Sequence, residues 1–260
     1  MCVAFLALDR HPRWRVVLAT NRDETYARPT TPAHRWDDAP EVIAGRDDDA
    51  GGTWCGVRDG DLAWTLVTNV RDLPAHRDDA LSRGDLTRAY LRLGAPPEVV
   101  AQDVHARRQR YNPFNLLLAQ GDEVWYVSTH TSAPRRIGPG LYGLSNATLD
   151  VPWPKVTRGK QALAACLADP RLGPDPLFDL LDHAEPAPEA ELPDTGVGRE
   201  WERILSPIFI ASERYGTRAQ SVLLLDAEGQ GVFAERTTTP GASREVRTFT
   251  LGSRETAATP

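Results

Sequence analysis

Apolar residues along the chain gather in short runs separated by turn-forming clusters. VAFLAL (3–8) and RVVLAT (15–20) are β-rich runs joined by DRHPRW, whose proline marks a turn. Together they predict a hairpin with the start of the chain on its first strand. DLAWTLVTN (61–69) reads as another strand, entered through the turn GVRDG. FNLLLAQ (114–120) and EVWYVST (123–129) flank Gly-Asp, a strong hairpin signal. Residues 217–239 read as a hairpin around DAEGQG, and EVRTFTLG as a last strand. Four segments have helical spacing instead: 81–94 and 96–109, divided by a Gly-Ala-Pro-Pro break, then 156–169 and 176–184.

Between these elements, residues 26–53 are rich in Pro, Asp and Gly and read as a long structured loop ending in AGGTW. RIGPGLYGLSNA (136–147) is Gly-rich and leads to a further strand or turn. EPAPEAELPD (185–194) is a surface segment and not a linker, because strands resume after it. Strands at both ends and helices grouped in the middle make an α+β pattern, without strict βαβ alternation. The whole chain, 1–260, reads as one domain.

Composition narrows the function classes. A net charge of −6 with interspersed signs argues against a nucleic-acid footprint. The apolar runs fall short of the roughly 20 residues of a membrane span, and MCVAFLALD has none of the parts of a secretory signal. Three cysteines, Cys2, Cys55 and Cys166, are too few and too scattered for a disulfide framework or a zinc site, which points to a reducing cytoplasm. The six histidines show no metal-ligand spacing, so no metal site is expected.

Candidate chemistry starts at the second residue. Removal of Met1 would leave Cys2 with a free α-amine beside its own thiol, a nucleophile and proton acceptor in one residue. The alternative is a small buried hydrophobe on a core strand. NRDE (21–24) ends the second strand near a turn, and four consecutive polar side chains there cannot all be buried without partners. Across the hairpin, Arg22 or Asp23 can approach Cys2: an arginine would lower the thiol pKa, an aspartate would hold the amine. Alternation on a strand sends these neighbours to opposite faces unless the strand ends or bulges between them. Asn69 and Asn146 each close an apolar stretch before a turn, where an amide can serve an oxyanion or merely form the turn. Arg218, at the mouth of an apolar strand, can clamp an anion or cap the sheet. Trp54 either covers a pocket or packs in the core.

These blocks resemble a known family. MC at the start, ATNRDE, GGTW, YNPFNLLL, YGLSNATLDVPWPK and YGTRAQSVLLLD recur in the order seen in the NRDE family, also called the Transport and Golgi organisation protein 2 family. That family in turn resembles the cysteine branch of the N-terminal nucleophile hydrolases, which implies a four-layer αββα sandwich. Carried over by motif, the resemblance implies catalytic roles for Cys2, Arg22, Asp23, Asn69, Asn146 and Arg218. Asn21, Glu24, Trp54 and Tyr142 complete the expected substrate-binding set. The activity implied is hydrolysis of a small amide or acyl compound, without a cofactor. Because family members are linked to haem trafficking and to lipid or acyl-CoA metabolism, the second expectation is a carrier of haem or an acyl lipid in the same pocket.

Overall fold

The computed structural model describes residues 2–241 and 243–252. The first two apolar runs form β1 (Cys2–Leu8) and β2 (Trp14–Thr25), antiparallel from Leu8 opposite Val16 to Cys2 opposite Arg22. β1 is buried along its whole length because neighbours flank it on both sides. Its sheet adds β10 (Gly140–Leu144), β11 (Tyr215–Asp226), β12 (Gly231–Thr237) and β13 (Val246–Leu251), in the order β10-β1-β2-β11-β12-β13.

The second sheet follows chain order: β3 (Thr30–Trp36), β4 (Ala39–Asp47), β5 (Cys55–Arg58), β6 (Ala63–Asn69), β7 (Phe114–Gln120), β8 (Glu123–Ser128) and β9 (Arg135–Ile137). Much of the expected loop 26–53 is therefore β3 and β4. β3 escaped the pattern because it is an edge strand that buries only Ala33 and Trp36 and accommodates Pro32. Most of GVRDG, expected as a turn, is likewise strand β5. NRDE forms the end of β2, which runs on to Thr25.

The helices are α1 (Gly84–Leu93), α2 (Pro97–Ala106), α3 (Pro154–Cys166), α4 (Pro174–Leu181) and a short α5 (Arg199–Ile204) that the spacing did not reveal. Period-two alternation decides what each strand face meets. Ala4, Leu6, Leu8, Leu18 and Leu223 meet Ile43, Cys55, Val57, Trp64 and Leu66 of the other sheet. Val3, Phe5, Ala7, Val17 and Val222 face the opposite way, onto Leu163 of α3 and Leu177, Phe178 and Leu181 of α4. On the far side, Val67, Leu116, Leu118 and Val127 pack against Leu86 and Tyr90 of α1 and Val100 and Val104 of α2. The result is a mixed α+β sandwich: two antiparallel sheets face to face, with helices on the outer faces. Gly159 lets α3 lie directly on β1, since a Cβ there would strike the ring of Phe5. No helix among the described residues is long and apolar enough to cross a membrane.

Candidate active site

Cys2 opens β1, and strand register sets its neighbours. On one side it pairs with Arg22 of β2. On the other, the register runs from Leu8 opposite Gly140 to Ala4 opposite Leu144. Continuing it by two residues puts Asn146 opposite Cys2, and the Ser145 hydroxyl donates to the Cys2 carbonyl at 3.4 Å.

Alternation also sorts Arg22 from Asp23. Cys2 belongs to the face of β1 that looks into the inter-sheet core, and its partner Arg22 shares that face. Arg22 is buried and donates to Thr30 Oγ1 at 3.2 Å and Asp47 Oδ2 at 3.3 Å, with its guanidinium 4.4 Å above the Trp54 ring. Asp23 points to the helix side, where its carboxylate accepts from Thr217 Oγ1 at 2.7 Å. It still serves Cys2, through a backbone hydrogen bond to the thiol. The register irregularity at this level lies in β11, where Arg218 is the extra residue between Thr217 and Ala219. β2 itself keeps its alternation, and the adjacent pair approaches Cys2 by two routes.

Both asparagines sit beside this strand end. Asn69 ends β6, and Asn146 Nδ2 donates to the Asn69 carbonyl at 2.8 Å. The loop carrying Asn146 is anchored from the second sheet. Asn115 Nδ2 donates to the Ala147 carbonyl at 2.8 Å, Thr68 Oγ1 donates to the Ser145 carbonyl at 3.1 Å, and the Tyr126 hydroxyl accepts from Leu149 N. Asp150 closes the loop at φ 64°, its carboxylate accepting from Gly143 N and from Lys160.

A cavity of about 510 Å3 opens over Cys2, lined also by Arg22, Glu24, Trp54, Asn69 and Arg83. A second compartment of about 410 Å3 adjoins it and includes Asn146, Val70, Leu73, Trp201 and Leu205. Glu24, Asn69, Arg83 and Asn112 line both. A larger cleft, about 910 Å3, lies elsewhere among Arg35, Glu41, Asp59 and Glu228, with no thiol among its lining residues. Three expected residues do not line the compartments around Cys2. Asn21 ties β2 to the helix side through the carbonyls of Leu181 and Ile208. Tyr142 sits opposite Leu6 and donates to the Gly138 carbonyl. Arg218 donates to the carbonyls of Thr25 and Arg28, bracing the chain after β2.

Burial pushes the Cys2 thiol above its ordinary value and the Asp23 carboxylate adds to this, while the Asp23 backbone bond and Arg22 oppose it. The resting thiol is therefore protonated at neutral pH and needs a base. Burial also raises Asp23, against the pull of Lys155. Lys155 was not among the expected site residues. It is buried, donates to the Leu205 carbonyl at 2.9 Å, and is pushed down to about 8 by burial. Arg83, also unexpected, lies just before α1 and donates to the Pro113 carbonyl at 3.1 Å. The only sequence signal for Lys155 was its place in the PWPK block, and Arg83 lies unremarked inside the helical segment 81–94.

Residues 1–240 match the family described as Transport and Golgi organisation 2. The Transport and Golgi organization protein 2 homolog of Bos taurus is 36% identical, over 91% of this chain and 92% of the relative. The human homolog is 33% identical over the same shares. The Mus musculus homolog is 31% identical, again over 91% of this chain and 92% of its own length.

Proposed function

The chain belongs to the Transport and Golgi organisation 2 family, and from the surroundings of its second residue we propose that it is an N-terminal cysteine hydrolase of small amides or related acyl compounds. In this reading the sandwich is of the N-terminal nucleophile type and the protein works in the cytoplasm. One observation carries it: Cys2 lies on a cavity wall between Arg22 and the continued register position of Asn146, with Asn69 on the same cavity.

The chemistry follows from that arrangement. Once Met1 is removed, the Cys2 α-amine, with an ordinary pKa near 8, takes the thiol proton. The sulfur attacks the substrate carbonyl, and the oxyanion that forms faces the side-chain amides of Asn69 and Asn146. Collapse breaks the C–N bond, and the leaving amine takes the proton from the α-ammonium. Water then attacks the thioester, the α-amine receiving its proton, and the acid leaves as the thiol is restored. Arg22 favours the thiolate, while the Asp23 carboxylate, buried behind the strand end, favours the ammonium.

The test is amine release from a panel of N-acyl amides by protein whose terminus is verified as Cys2. Release is expected from that form and not from protein retaining Met1 or carrying Cys2→Ala. Equal release by all three, or by none, would overturn the reading. The carrier reading keeps one supporting observation, His76 beside the apolar compartment that adjoins the Cys2 cavity. It expects a Soret shift on haem titration that is lost in His76→Ala or Cys2→Ala.

A further inference from the structure

The two compartments that meet at Asn69 differ in character. The one over Cys2 is polar, with Arg22, Glu24, Arg28, Asp47 and Asp49 on its walls. Its neighbour has an apolar side formed by Val70, Leu73, Val197, Trp201 and Leu205. Large apolar side chains are exposed at few places among the described residues, and two of them are here: Leu73 at 51% and Trp201 at 46%. Exposed apolar surface gathered beside a polar cleft marks a ligand site.

This apolar wall is fixed in place. Trp201 lies on α5, and its neighbour Glu202 makes a buried salt bridge with Arg71 at 2.7 Å. Glu202 also accepts from Thr195, while Arg71 N donates to the Asn146 carbonyl at 2.7 Å. One ion pair therefore ties the apolar wall to the loop that carries Asn146.

The charges on the polar side are unevenly satisfied. Arg22 and Arg28 both pair with Asp47, and Arg28 also pairs with Asp49. Arg83 lines both compartments and makes no salt bridge among the described residues, and it donates to the Pro113 carbonyl. It is close enough to Cys2 for a thiolate charge there to act on it.

We infer that the substrate is an amide with an apolar acyl chain, held against Leu73 and Trp201, and an anionic group on the amine portion, held by Arg83. The inference rests on the reading of Cys2 as the acyl acceptor. Asn69 stands at the seam, where the carbonyl of such a molecule would lie. The anion is a carboxylate or a phosphate, since a guanidinium binds either in a bidentate fork.

The experiment measures binding by calorimetry in the Cys2→Ala protein, which cannot form the thioester. N-dodecanoylglycine is expected to bind at least about tenfold tighter than N-acetylglycine, and tighter by a similar factor than neutral N-dodecanoylethanolamine. The phosphate monoester of N-dodecanoylethanolamine identifies the anion: tighter binding than dodecanoylglycine assigns a phosphate, weaker binding a carboxylate. Arg83→Gln should erase the advantage of the anion and leave the neutral amide unchanged, with Arg83→Lys restoring only part of it, since an ammonium keeps the charge but not the fork. Trp201→Ala should reduce only the advantage of the long chain. Equal binding of anionic and neutral amides, equal binding of acetyl and dodecanoyl compounds, or an Arg83→Gln loss shared by both amides would overturn the inference. Binding is read without the thiol, so this result stands apart from amine release: the hydrolase reading can fail while the ligand class holds, and the reverse.

Discussion

Cys2 and Cys55 are both buried thiols in the inter-sheet layer, one at the start of β1 and the other on β5. Their electrical surroundings differ. Cys55 is enclosed by the core cluster, and burial followed by the Glu235 carboxylate drives its pKa strongly upward. Cys2 is also raised by burial and by the Asp23 carboxylate, but the Asp23 backbone and Arg22 pull against this, and it borders a cavity. Burial of a thiol is therefore a poor guide to its chemistry. The strand end, the cation opposite and the open space make the difference.

The comparison breaks most visibly at Cys2 itself. Cys2→Ala should abolish amine release, whereas Cys55→Ala should retain it; loss in both would mean that the two thiols share one structural role. Glu235, on the Cys55 side, gives the next largest effect. It is buried and accepts from Ala33 N and from Ser221, and burial raises it from 4.5 to about 7. A carboxyl that holds its proton more tightly when folded contributes stability fully present below pH 4.5 and lost as pH rises through 7. The loss is on the order of 3 kcal/mol, and Glu235→Gln should flatten it in denaturant titrations between pH 5 and 8 (about the span of the shift). A profile identical to that of the unsubstituted protein would remove Glu235 from the comparison.

On the Cys2 side, Arg22→Gln takes away the cation facing the thiol. Alkylation of Cys2 by iodoacetamide at fixed pH should slow about tenfold, the size expected for losing an adjacent charge, while alkylation of Cys166 stays unchanged. An unaltered Cys2 rate would show that Arg22 serves only Asp47 and Trp54. The smallest effect is the stability cost of Cys55→Ala, about 1 kcal/mol for a small buried deletion, read as a shift in the denaturation midpoint without a change in slope.

Much of this was legible in the sequence. The VAFLAL and RVVLAT hairpin places Cys2 beside NRDE because both are continuous short apolar runs and the turn between them is short. β3 was not legible, since an edge strand buries too few residues to produce a period. Asn21 and Tyr142 looked like pocket residues because polarity and position in a motif say nothing about which face of a strand a residue takes. Asn21 is two residues from Asp23 and shares its helix-side face; Arg22, between them, faces Cys2. Arg83 and Lys155 were missed for a different reason. Their placement depends on contacts across the fold, to Pro113 and Leu205, which local patterns do not encode.

The most direct measurement is acid-quenched mass spectrometry with peptide mapping, on protein free of Met1, during turnover of an acyl amide or thioester. An acyl adduct that rises and decays on Cys2, and never appears on Cys55 or Cys166, is the expected result. Amine release without any adduct on Cys2, or an adduct that accumulates on Cys55 or Cys166, would contradict it.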